Sequence, residues 1–156
     1  MKTFHIILAN SMVAFVTNNF VWFAVTFWVY LETKSVIATS VMAGIFTLTV
    51  VFSGFLLGSL VDRYPKKRVM LLSSFASLVL YAIAGLIFVT TPAEVLKDAS
   101  SLRLWIFIIL TLVGAIFCNL RGIALSTLIS IMIPEEERDK ANGLVGTATG
   151  IAFLGA

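Results

Sequence analysis

Four apolar stretches, residues 6–31, 36–61, 69–91 and 104–133, are each long enough to cross a bilayer, and they decide what this chain can become. A spanning helix needs about 20 mostly apolar residues. In hydrocarbon only a helix or a closed barrel satisfies every backbone hydrogen bond, and runs of this length are helical. Charged residues make up 12% of the 156-residue chain, about half the usual share in a soluble domain, and most of them fall in the connections. The expected fold is therefore all-α and polytopic. A fifth run, 141–156, is too short to cross at 1.5 Å per residue. It reads as the truncated start of another span, so the chain is expected to be the N-terminal part of a larger transmembrane bundle.

The first run carries Asn18 and Asn19 in its middle and no small-residue cleavage site follows it, so it is expected to stay as a span and not be removed as a signal. The single cysteine, Cys118, lies within the fourth run and excludes a disulfide within the chain. A packing role is expected for it. Counting cations in the connections sets Lys2, Arg63, Lys66, Lys67, Arg68, Arg138 and Lys140 on one side against Lys34, Lys97 and Arg103 on the other. The richer side is predicted to be cytoplasmic, with the N-terminus inside. That bias accounts for the net charge of +3, so no nucleic-acid partner is expected, while the lipid bilayer is.

The loop from Gly58 to Arg68 places charges against the helix dipoles. With a helix ending near residue 61, Asp62 sits at a negative C-terminus, and Lys66, Lys67 and Arg68 precede the next helix at its positive N-terminus. Such charges are expected to serve partners elsewhere in the fold. By contrast, Glu135-Glu136-Glu137-Arg138-Asp139-Lys140 after Pro134 reads as a solvated helix start with acids suitably placed. Thr91-Pro92-Ala93-Glu94 matches a capping box ahead of a short interfacial helix.

Small residues recur at helical spacing. Ser40, Ala43, Gly44, Thr47, Gly54 and Gly58 share an arc that Asp62 continues, and Gly143, Gly146 and Gly150 form a similar seam in the fifth run. Gly54, Gly146 and Gly150 are therefore predicted to be helix-packing positions, since burying apolar area gives no driving force between helices in lipid.

The pattern Gly58-x-x-x-Asp62-Arg63-x-x-Lys66-Lys67, between the second and third spans, resembles the signature loop of the major facilitator superfamily of secondary transporters, departing from it at Pro65. The stretch from Ile133 to Leu144 is similar to the matching connection in the branch of drug, macrolide and siderophore exporters and lysophospholipid transporters. The resemblance implies twelve spans in two six-helix halves, alternating access, a substrate cavity at the midplane and location in a bacterial plasma (inner) membrane. It also implies three partners: a small-molecule substrate, the bilayer, and the missing C-terminal half of the same transporter. Gly58, Asp62, Arg63, Lys66 and Lys67 would then gate the cytoplasmic side, with Asp62 meeting a helix start of the other half. A lysophospholipid-type transporter and a non-transporting four-span scaffold are the alternatives.

Arg121 is the one formal charge deep within a run, and an intramembrane arginine faces protein or water. Two readings stand open. It lines a path for an amphipathic or anionic substrate and couples transport, or it forms a structural ion pair with an acid outside these spans. Asn18, Asn19 and Trp22 are candidates for the same path, with interhelical bonding or packing as the plain alternative. No Walker loop, metal-ligand cluster or paired carboxylates occur inside a span, so neither enzyme activity nor a cofactor or metal is expected.

Overall fold

The computed structural model describes residues 2–98 and 100–156 and folds them almost entirely into helix. Helices α1 (Lys2–Thr33), α2 (Val36–Arg63), α3 (Lys66–Thr90) and α5 (Leu102–Met132) are each long and apolar enough to cross a membrane. The short α4 (Ala93–Lys97) links α3 to α5, and α6 (Arg138–Leu154) follows a 3-10 turn at Glu135–Glu137. The side chain of Lys2, counted above for orientation, lies outside the described residues.

The spans outrun their apolar runs by a few residues, because a helix can continue into the wet interface where water satisfies its terminal groups. Two boundaries shift in consequence. Asp62 and Arg63 belong to the last turn of α2, and Lys66, Lys67 and Arg68 form the first turn of α3. Between α1 and α2 the chain turns over Lys34 and Ser35 alone. Lys34 takes φ 52°, with its N–H on the Tyr30 carbonyl at 2.8 Å, a helix-ending conformation that usually selects glycine.

The capping box expected at Thr91–Glu94 does not form. Pro92 is itself extended (ψ 140°), so α4 begins one residue later and Thr91 is too far back to cap it. Thr91 instead ends α3, donating its N–H to Ile87 at 3.0 Å.

The central element is α5, which packs most extensively on α3 and also on α2, α1 and α6, while α6 lies mainly along α1. Buried apolar side chains form two clusters. One, near the α2–α3 connection, gathers Phe4, Leu8, Val61, Met70, Leu125 and Ile129. The other, toward α4, gathers Val25, Val29, Met42, Ala84, Phe107 and Ile108. Between them the facing surfaces of α1, α3 and α5 turn polar.

Among the described residues the glycines of the small-residue seams meet no neighbouring helix. A Cβ added at Gly54, Gly58, Gly146 or Gly150 would meet nothing within 4 Å. Instead α6 turns Ala141, Ala148 and Ala152 inward, and α2 turns Met42 and Val61. The close approach that does occur is at Gly114 of α5, where a Cβ would come within 2.6 Å of the Tyr81 ring.

Candidate functional site

Arg121 is held between three helices. It lies eleven residues from the end of α5, while Asn10 and Ser74 lie eight residues into α1 and α3, so all three sit about 12–16 Å from the same bundle end at 1.5 Å per residue. One terminal nitrogen, Nη1, donates to Ser74 Oγ at 2.5 Å, and Nη2 donates to Asn10 Oδ1 and, at 3.4 Å, to Ser11 Oγ. The residue is only 7% exposed. Its Nε is buried without a hydrogen-bond partner.

Toward α4 the polar band continues. Cys118 Sγ lies 3.7 Å from the Ala14 carbonyl, Ser77 donates to the Gly114 carbonyl at 2.9 Å, and the Tyr81 hydroxyl donates to Asn18 Oδ1 at 2.7 Å. Hydrogen bonds across helices are what hold such a bundle where apolar burial contributes nothing. The cysteine is free and buried.

These contacts revise the sequence reading of Arg121. Asn10, Ser11 and Ser74 converge on it, and all three of these partners are neutral, so the ion pair offered as one reading has no acid among the described residues. Every acid in the chain lies at a helix end or in a connection. A guanidinium so placed keeps its full charge in a low-dielectric site, compensated by hydrogen bonds alone, which costs more than a paired charge. Chemically, the arrangement is a fixed cation whose Nε has no partner among the described residues.

The other path candidates separate. Asn18 joins the band through Tyr81. Its neighbour Asn19 is half-buried. Trp22 stacks on Phe46 of α2 with centroids 3.8 Å apart and planes at 19°. It therefore serves the α1–α2 contact.

The signature loop behaves differently from the misplaced-charge expectation. Lys66 folds back over the end of α2, donating to the Val61 carbonyl at 2.6 Å and lying 3.8 Å from Asp62. A cation on the last carbonyls of a helix is favourably placed, so Lys66 stabilises the preceding helix. Arg138 does the same six residues after the end of α5, with Nε on the Ile133 carbonyl at 3.2 Å and Nη2 on the Ser130 carbonyl at 2.8 Å. Asp62 is different, because its side chain is 71% exposed. Arg63 and Lys67 are exposed too, and Gly58 borders open space.

Sequence reasoning missed Asn10, Ser11, Ser74, Ser77 and Tyr81. A signal existed: Ser74, Ser77 and Tyr81 recur at helical spacing within an otherwise apolar span. Hydroxyls in spans so often bond their own backbone, as Thr17 and Thr90 do here, that the pattern carries little weight by itself.

In comparisons with known proteins, the Major Facilitator Superfamily profile matches residues 7–156. No curated protein and no solved structure matches.

Proposed function

The chain belongs to the major facilitator superfamily, and from that premise we propose that it is a secondary active transporter, an efflux permease carrying drug-like or amphipathic molecules by alternating access. Membership itself makes it a membrane transporter and an integral membrane protein. The finer reading rests on one observation: Arg121, a buried cation at membrane depth bound only by neutral side chains. A bundle needing only cohesion would gain as much from neutral polar pairs without the desolvation of a guanidinium. A transporter gains a fixed charge that substrate or a coupling proton can act upon.

In this reading Asp62, exposed at the end of α2, meets a helix start of the second half when the cytoplasmic side closes. The open seams at Gly54 and Gly58 on α2 and at Gly146 and Gly150 on α6 face that half. The N-terminus and the Asp62 loop are cytoplasmic, in a bacterial inner membrane, with the cation bias of the connections as support.

The test is efflux from proteoliposomes holding the full-length protein, with radiolabelled dodecanesulfonate, an amphipathic anion, as the probe and an imposed proton gradient. Arg121→Ala should reduce the initial rate at least tenfold while inserting normally. Arg121→Lys should recover little, because the three oxygens around Arg121 are spaced for a planar fork and not for a point charge. Wild-type rates in Arg121→Ala would defeat the reading.

A further inference from the structure

Tyr81 divides two spaces of opposite character. Toward α4, helices α1, α3 and α5 border an apolar cleft of about 460 Å³ whose walls include Val21, Ala24, Trp28, Gly85, Phe88 and Phe107. Toward the α2–α3 connection lies a smaller cavity of about 170 Å³ lined by Asn18, Ser74, Ser77, Cys118 and Arg121. Tyr81 lines both. Its ring leans on Gly114 and its hydroxyl is tethered to Asn18.

The two spaces ask for different things. Arg121 brings a buried positive charge that no acid of the described residues offsets, with Nε unpartnered, so the smaller cavity favours an anion. The wide cleft offers aromatic and aliphatic walls and almost no polar surface. It suits an uncharged body. Ala24 and Gly85 are exposed at its mouth, which opens on the outer surface of the bundle.

We propose that this cleft is a binding site for amphipathic organic monoanions, with the anionic head at Arg121 and the apolar body along Trp28, Phe88 and Phe107. Tyr81 is the movable partition. As the head passes, its hydroxyl leaves Asn18 and donates to the anion, while the ring continues to wall the apolar side. The site lies within one bundle, among α1, α3 and α5. It names the substrate class of the transporter proposed above and rests on that reading.

Equilibrium binding of radiolabelled dodecanesulfonate, an anion that stays ionised in the membrane, tests it. The full-length protein is held in phosphatidylcholine nanodiscs, empty nanodiscs give the lipid background, and dodecanol serves as the uncharged comparison. Gly85→Trp puts bulk into the cleft from a lining position where an added Cβ meets nothing within 4 Å, so the protein should melt as wild type while the Kd for dodecanesulfonate rises at least tenfold. Arg121→Gln should raise that Kd at least tenfold and leave dodecanol binding unchanged. An unchanged Kd in Gly85→Trp overturns the proposal whatever Arg121→Gln does. Equal losses for sulfonate and alcohol in Arg121→Gln overturn the assignment of the head to Arg121. Dodecanesulfonate efflux separates the two readings: sulfonate binding insensitive to Gly85→Trp with efflux intact removes only this site, whereas site-dependent binding without transport of the sulfonate removes only the transporter reading.

Discussion

Replacing Gly114 by alanine adds one methyl group at the tightest point of the bundle. The new Cβ would lie 2.6 and 2.8 Å from two carbons of the Tyr81 ring, so the ring must retreat about 0.8 Å to reach ordinary contact at 3.4 Å. The Tyr81 hydroxyl, 2.7 Å from Asn18, would move with it to the edge of hydrogen-bonding distance. Overpacking of this kind costs about 1–3 kcal/mol, and an interhelical hydrogen bond in a membrane contributes about 0.6 kcal/mol on average and up to about 1.7. A destabilisation of about 2–3 kcal/mol follows, reduced by alanine's better helix propensity. Reversible unfolding of the full-length protein in mixed micelles measures it. Tyr81→Leu should cost stability alone but remove most of the Gly114→Ala penalty in the double variant, because the offending ring is gone. A Gly114→Ala protein as stable as wild type, or penalties that simply add, would refute the contact.

Three further outcomes are expected. Lys66→Met should lower stability by about 1–2 kcal/mol through loss of the charge-assisted bond to Val61, whereas Lys67→Met, fully exposed, should change it by less than about 0.5; equal effects in thermal unfolding would sink the capping role. Asp62→Asn should leave folding intact yet remove the charged part of a helix-start contact, about 0.3–2 kcal/mol. Since 1.4 kcal/mol is tenfold in a two-state ratio, cysteine-accessibility assays should show the inward-open form enriched, and unchanged accessibility with unchanged transport would make Asp62 a plain surface residue. Cysteines placed singly at Lys67 and Lys140 should be labelled from the cytoplasm and one at Lys97 from outside, and labelling of 67 and 97 from the same face would defeat the alternation of spans.

The spans were legible in the sequence because the requirement that makes them is local. About 20 apolar residues must be helical in hydrocarbon whatever they pack against, so α1, α2, α3 and α5 follow from runs 6–31, 36–61, 69–91 and 104–133. The loop motif at Gly58–Lys67 was legible for the same reason, being a matter of spacing along the chain. Arg121 announced itself as an isolated charge, but its partners did not. Asn10, Ser11 and Ser74 lie 111, 110 and 47 residues away, and nothing local sets which face of α1 or α3 meets α5. The same ignorance of facing surfaces hid Gly114, whose missing side chain lets the Tyr81 ring approach, whereas Gly54, Gly146 and Gly150 meet no other helix among the described residues. It also left Lys66 reading as a misplaced cation, because the helix end it caps lies behind it in the chain and is reached only once the α2–α3 turn folds. Hydropathy fixes that a segment is buried in lipid; only the three-dimensional arrangement of several helices decides which polar atoms meet, since in a medium that offers them no water each must find its partner on another helix or on its own backbone.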